Sequence, residues 1–137
     1  MSRLNHIFIG LFLIAGWSLQ GHGQTNDTLV KKDMVYDIVE SLPEFPGGER
    51  AYMKFLADNL KYPEELRNIA IKSTVLLSFI VEIDGSITNI QVVRSAHKLL
   101  DEEAERVVKL MPKWKPAMKN GKPVRVRHRL PIHIDLK

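Results

Sequence analysis

The stretch from Thr74 to Arg94, TVLLSFIVEIDGSITNIQVVR, decides the fold because it contains two strands and the turn between them. Apolar residues alternate through its first half, which is the two-residue repeat of a β-strand. They are Val75, Leu77, Phe79, Val81 and Ile83. Asp84-Gly85 is a strong hairpin signal, since both turn positions need a positive φ. A return strand, antiparallel to the first, is therefore predicted over Ile87 to Arg94.

Segments with helical spacing stand on both sides of this hairpin. After the pair Gly47-Gly48, apolar residues recur at helical intervals from Glu49 onward, and Pro63 ends this pattern and begins a second short turn. They are Tyr52, Phe55, Leu56 and Leu60. Lys98 to Met111 shows the same spacing, with its apolar residues again on one face. Those are Leu100, Ala104, Val107, Val108 and Met111.

The last segment, Val124 to Leu136, returns to strand alternation. One face is apolar and includes His128, whereas the other carries Arg125, Arg127 and Arg129. The resulting order, α-β-β-α-β, predicts an α+β fold with two helices on a small antiparallel sheet. Trp114, between two prolines, is expected to anchor the preceding connection on the core.

The first 23 residues have the pattern of an export signal. Ile7 to Leu19 is an uncharged run of 13 residues, which is shorter than the roughly 20 residues of a membrane-spanning helix and suits a signal-peptide core. Gly21 and Gly23 precede a possible cleavage site before Gln24. We therefore expect residues 1–23 to be a signal peptide or a short anchor, residues 24–42 a short lead segment, partly extended, and residues 43–137 one domain.

Composition narrows the function classes further. The chain has 137 residues, 45% hydrophobic residues, no cysteine and a net charge of +4, which is typical of one globular domain and excludes disulfides and thiolate chemistry. Much of the basic charge lies near the C-terminus. Because export is expected, a nucleic-acid partner is disfavoured and a solvated strand face is the preferred interpretation.

Candidate catalytic and metal-binding residues form no convincing group. His128 and His133 are five positions apart on one strand, so they point to opposite faces and cannot share a metal. His97 stands before the second helix, where a helix-start role is favoured. No G-x-S-x-G motif is present, and Gly47-Gly48 lacks the lysine and serine of a phosphate loop. We expect no enzymatic activity, no cofactor and no metal.

A small open sheet suggests a binding function because its edges carry unpaired backbone groups. An extended peptide can add to such an edge as a further strand. The C-terminal strand is long, and its arginines would favour an acidic partner segment. Whether this strand lies at the edge is left open by the sequence.

Four stretches of the chain, taken together in their order and spacing, resemble the TonB C-terminal domain family. They are PEFPGGERAYMKFLADNLKYPEELR, VLLSFIVEIDGSITNIQVVRS, LDEEAERVVKLMPKWKPAMKNGKPV and LPIHI, over about Pro43 to Leu136. The resemblance implies a periplasmic domain that docks on outer-membrane receptors, where a short receptor peptide, the TonB box, adds to the C-terminal strand. It thereby supports transport of nutrients.

The corresponding partner-binding residues in this chain form the first half of the terminal strand. They are Val124, Arg125, Val126, Arg127, His128, Arg129 and Leu130. Full-length family members also couple to a proton-driven motor through a membrane anchor and a long proline-rich spacer. Here the residues between 24 and 41 would reach at most roughly 60 Å at about 3.3 Å per residue, which disfavours such coupling. The alternatives are a membrane-anchored energy transducer that works with inner-membrane motor proteins, and a self-associating, homodimeric envelope module.

Overall fold

The computed structural model describes residues 34–137. The predicted signal or anchor, residues 1–23, and the first part of the lead segment lie outside the described residues. The described elements follow in chain order: β1 Val35–Tyr36, α1 Gly48–Asn59, a 3-10 helix Glu64–Leu66, β2 Ile71–Val81, β3 Ile87–Arg94, α2 Lys98–Lys109, β4 Ala117–Lys119 and β5 Lys122–Leu136.

The sheet is mixed but mostly antiparallel, with the strand order β1-β5-β2-β3 and with β4 paired to the start of β5. The long central pair, β2 with β5, runs antiparallel from Ile71↔Leu136 to Val81↔Val126. β3 returns antiparallel beside β2, as predicted. The predicted turn type is wrong, however, because Gly85 has a positive φ and Asp84 does not. The loop has three residues, 83–85, and is closed by the hydrogen bond from the N–H of Glu82 to the carbonyl oxygen of Ser86. The α+β class and the α-β-β-α-β order are confirmed, and β1, β4 and the 3-10 helix are additions to that order.

The core lies on one face of this sheet, under the helices. The alternating apolar residues of β2 and β5 meet there, and so do those of α2. The most buried of them are Val75, Leu77, Phe79, Val81, Leu100, Ala104, Val107, Val108, Val126, Ile132 and Ile134, each at most 2% exposed. This burial follows from the two sequence periods, since each strand and each helix has one apolar face.

The start of α1 explains the glycine pair. Gly47 has φ 87° and Gly48 has φ 79°, a region that residues with a side chain rarely adopt. A Cβ on Gly47 would also lie 2.7 Å from the Cβ of Ala51. The stretch is therefore a tight turn that begins the helix. α1 then packs Tyr52 and Phe55 against the ring of Phe45.

Trp114 anchors the segment after α2, as predicted, and is 5% exposed. Its backbone N–H donates to the carbonyl oxygen of Gly85 at 2.8 Å. A Cβ on Gly85 would lie only 2.0 Å from the carbonyl oxygen of Trp114. The glycine of the β2–β3 turn is thus required twice, by its φ of 87° and by this close approach.

The connection between α2 and the terminal strand is more regular than its turn-rich sequence predicts. Its Asn120-Gly121 pair has φ values of 53° and 71°, which makes a two-residue hairpin turn between β4 and β5. The terminal strand therefore begins at Lys122, two residues before the predicted start. Within residues 34–137, no helix is long and apolar enough to cross a membrane.

Candidate functional site: the open edge of the terminal strand

β5 has different neighbours along its length. Its first residues pair with β4, from Lys119↔Lys122 to Ala117↔Val124. Arg125 and Val126 pair with β1, which lies on the side of β5 opposite to β2. Within the described part of the chain, residues 127–136 of β5 pair only with β2. The side of residues 127–136 that faces away from β2 is called the open edge below.

The direction of each backbone group follows from one hydrogen bond in the β2–β3 turn. The N–H of Glu82 donates to the carbonyl oxygen of Ser86 at 2.8 Å, so the backbone N–H and C=O groups of the even-numbered residues of β2 point toward β3. These groups alternate sides along an antiparallel strand. The backbone groups of the odd-numbered residues of β2 therefore point toward β5. Since Phe79 is paired with His128, the even-numbered residues of β5 bond to β2. The odd-numbered ones, Arg127 and Arg129 among them, face the open edge.

Pro131 supports this assignment. It has no N–H to donate, and it is tolerated in a sheet where that missing donor points away from the neighbouring strand. Its odd number places it on the open edge, so no bond to β2 is lost. Pro131 also divides the open edge. On its N-terminal side, Arg127 and Arg129 offer both a backbone donor and a backbone acceptor.

The side chains of Arg127 and Arg129 are exposed on the face of the sheet that the helices leave uncovered. Nε of Arg127 lies 3.9 Å from Oδ1 of Asp37. Arg125 has a firmer partner, because its Nε and one terminal nitrogen donate to the carboxylate of Glu82 at 2.6 and 3.1 Å. These hydrogen bonds lower the pKa of Glu82. Two of the arginines of β5, Arg125 and Arg127, thus have a carboxylate group nearby, and both contacts lie near the start of the open edge.

The seven predicted partner-binding residues therefore fall into three groups. Val124 lies beside β4, Arg125 and Val126 lie beside β1, and the remaining four begin the open edge. In that last group, the side chains of His128 and Leu130 point into the core while their backbone groups bond to β2. Asp37 and Pro131 were not predicted as residues of this site, although Asp37 lies in the lead segment that was expected to be partly extended and Pro131 lies within the predicted terminal strand.

His128 lies among aromatic rings beneath the open edge. Its ring centroid is 5.6 Å from that of Phe79 and 5.3 Å from that of Trp114. Burial in these surroundings lowers the pKa of His128. Burial also raises the pKa of Tyr52 to about 12.

The other predicted histidine roles can be placed as well. His133 is exposed on the uncovered face, and its Nδ1 lies 2.9 Å from Oγ1 of Thr74. His97 caps α2, with its Nδ1 accepting from the N–H of Leu99 at 3.2 Å, which confirms its helix-start role. The described residues contain no group of three or more side chains that could hold a metal ion. His6 and His22 lie outside the described residues.

A comparison with protein families decides the identity of the domain. The sequence model of the family described as "Gram-negative bacterial TonB protein C-terminal" matches residues 58–136, which is more than half of the chain.

The chain belongs to the TonB C-terminal domain family.

Other comparisons add similar structures. The chain is 26% identical to Helicobacter pylori TonB-CTD (residues 179-285), whose NMR solution structure matches with a TM-score of 0.44 over 67% of this chain and 87% of that one. A shorter form of the same domain, residues 194-285, matches with 26% identity and a TM-score of 0.44, over 64% of this chain and 92% of that one. No curated protein sequence matches the chain significantly.

Membership carries general consequences for function. The TonB C-terminal domain family is non-enzymatic and faces the periplasm. Its members transmit energy to outer-membrane receptors and have TonB-dependent receptors as partners. The matched residues include all seven predicted partner-binding positions, from Val124 to Leu130, whereas β1 and Asp37 precede the match.

Proposed function

We propose that this TonB C-terminal domain docks on outer-membrane receptors by adding a receptor peptide as a strand to β5. The binding stretch is Val124 to Leu130, and its open part begins at Arg127. The observation that carries the proposal is the regular open edge, where Arg127 and Arg129 direct backbone donors and acceptors away from β2. Strand addition of this kind obtains affinity from backbone hydrogen bonds and specificity from alternating side chains.

The charge of the edge favours an acidic partner segment. The side chains of Arg127 and Arg129 flank the backbone groups that a peptide would use, and both are exposed. A peptide residue opposite either arginine places its side chain on the same uncovered face, where a carboxylate meets a guanidinium. The same arginines also oppose uncontrolled pairing of the edge with other strands.

A titration with a TonB-box peptide tests the proposal. The amide signals of the protein are recorded by NMR while the peptide is added to millimolar concentration. We expect the largest shifts at Arg127 and Arg129, smaller shifts at Leu130, and none at β3 on the far side of the sheet. The absence of any shift from Val124 to Leu130 at millimolar peptide would contradict docking at this edge.

We also propose that residues 1–23 direct export to the periplasm, as a signal peptide or as an anchor in the inner membrane. The run from Ile7 to Leu19 supports this. The N-terminus of the protein isolated from cells separates the two versions. A soluble periplasmic product that starts near Gln24 indicates a free domain, whereas a membrane-bound product with an intact N-terminus indicates an anchored energy transducer that works with inner-membrane motor proteins.

A further inference from the structure

β1 already occupies the edge of β5 just before the open part. Val35 pairs with Arg125 and Tyr36 pairs with Val126, and the two strands run parallel. The next residue, Asp37, brings its carboxylate to 3.9 Å from Nε of Arg127. The lead segment therefore consists of a short parallel strand followed by an acidic residue at the first open position.

Within the described residues, β1 is short and half-buried, and the ion pair beside it is exposed. The strand has only two residues, and the side chains of Asp37 and Arg127 are 78% and 53% exposed, respectively. Tyr36 adds a cation–π contact, with Nζ of Lys119 4.4 Å from the centroid of its ring. Exposed ion pairs and short strands contribute little to stability. β1 is thus an element that a competing strand can displace.

The chain just after β1 is held more firmly. Ser41 exchanges backbone hydrogen bonds with Met118 at 3.1 and 3.3 Å, and Glu44 does so with Lys115 at 2.8 and 3.0 Å. These contacts hold the chain only a few residues after β1, so β1 stays close to β5 even when it has left the edge. A segment tethered in this way competes with an incoming peptide at a high effective concentration.

We propose that the segment Val35-Tyr36-Asp37 is an internal substitute for the receptor peptide. The partner segment runs parallel to β5, carries a carboxylate that replaces Asp37 at Arg127, and displaces β1 from the edge. This rests on the proposed docking at the same edge. It defines the partner chemistry as a short extended acidic peptide, and it makes the lead segment a competitive brake on docking.

The brake has a measurable consequence. The apparent affinity for the peptide is the intrinsic affinity reduced by the fraction of molecules in which the edge is vacant. Asp37→Arg places a positive charge against Arg127 and destabilises the bound lead segment. We expect the Kd for an acidic TonB-box peptide to fall by about three- to tenfold in this variant, which is about 0.7 to 1.4 kcal/mol.

A matched control is available on α1. Asp58 forms an exposed ion pair with Lys54 at 2.6 Å, and its side chain is 56% exposed. Asp58→Arg makes the same charge change far from β5, so its Kd should stay within about twofold of the unaltered chain. The three full-length proteins are titrated with one TonB-box peptide, and the amide signals of Arg127 and Arg129 are followed by NMR.

The outcomes separate the two proposals. Tighter binding by Asp37→Arg alone supports the internal brake. Equal binding by all three proteins overturns the brake and leaves docking at this edge in place. If none of the folded proteins binds the peptide, docking itself is overturned and the brake with it. If Asp58→Arg tightens binding as much as Asp37→Arg, total charge is the cause and the brake is overturned.

A second titration tests the partner chemistry without any receptor sequence. A capped peptide with the sequence of residues 33–39, DMVYDIV, is added to the Asp37→Arg protein. We expect shifts at Arg127 and Arg129, and at least threefold weaker binding when the peptide's second aspartate is replaced by asparagine. Equal binding of the two peptides overturns the role of the carboxylate, and the absence of binding at millimolar peptide overturns the likeness between β1 and the partner.

Discussion

The two edges of the sheet differ in regularity. β5 pairs with β2 in one continuous register of eleven residue pairs, and its outer side is open from residue 127 onward. β3, at the other edge, shifts its register against β2 in two places. One of these irregular stretches contains Asn89, which has a φ of 53°. β3 is thus a bulged edge, and β5 is a regular one.

This difference indicates which edge is available for a partner. Bulges twist an edge strand and interrupt its row of backbone groups, and they protect native sheets against unwanted pairing. The β3 edge has this protection. The β5 edge instead carries exposed polar and charged side chains, Arg127 and Arg129 among them, and a proline, so it remains compatible with a partner of complementary charge.

The largest expected effect comes from Arg127→Pro. It removes a backbone donor at the open edge, and no bond to β2 is lost because Arg127 faces outward. Pro131 occupies an equivalent position in the native strand, so the fold should persist. We expect the Kd for a TonB-box peptide to rise at least tenfold, measured by NMR titration.

Arg127→Ala is the control for this prediction. It keeps the backbone donor and removes only the guanidinium, which contacts Asp37 in the free protein and would contact the peptide carboxylate in the complex. The two losses oppose each other, so we expect the Kd to stay within about threefold of the unaltered chain. Unchanged affinity in a folded Arg127→Pro protein would mean that the peptide binds elsewhere.

The bulged edge is tested by Asn89→Ala. Alanine is disfavoured at a positive φ by about 1 kcal/mol, so the free energy of unfolding should decrease by about that amount, measured in urea. Peptide binding should not change, since β3 lies two strands away from the open edge. A loss of peptide affinity in the folded variant would show that the β3 edge also takes part in docking.

A smaller effect is expected from Pro131→Ala, which adds the missing donor and makes the open edge continuous. Peptide affinity should increase by about two- to threefold. An ordinary hydrogen bond contributes about 1 kcal/mol of net stabilisation, and an exposed one contributes less. Pro123→Ala is the matched control, since Pro123 also faces outward but pairs beside β4. Equal gains in both variants would point to a general change in strand flexibility.

The smallest effect concerns pH and His128, on the core side of β5. Burial lowers the pKa of His128, so folding favours the neutral ring. Its contribution to stability is complete above the unfolded pKa of about 6.5 and is lost as the pH falls below that value, because the unfolded chain then binds a proton more readily. The Tm should therefore decrease between pH 7.5 and pH 5.

His128→Phe should reduce this decrease, and His133→Asn, on the opposite face, should not. Differential scanning calorimetry of the three proteins at both pH values checks the prediction. An unchanged difference in Tm between pH 7.5 and pH 5 in His128→Phe would assign the pH dependence to other groups.

Much of the fold could be predicted because local signals agree with it. The alternation around Phe79 predicts which face of β2 is buried, and Asp84-Gly85 predicts the turn that joins β2 to β3. Trp114 was recognisable as an anchor from its apolar ring between prolines. For the site, the terminal strand and its arginines could be identified, but not the direction in which Arg127 points its backbone groups.

That direction depends on strand neighbours that are distant in the chain. The sequence by itself determined the strand and helix periods, the two glycine turns and the cationic face of β5, because each depends on residues a few positions apart. Only the tertiary structure decided that β2 covers one side of β5, that β1 with Asp37 reaches Arg125 and Arg127, and that β3 is bulged. Pairing between strands is set by long-range backbone hydrogen bonds, which leave no local pattern in the sequence.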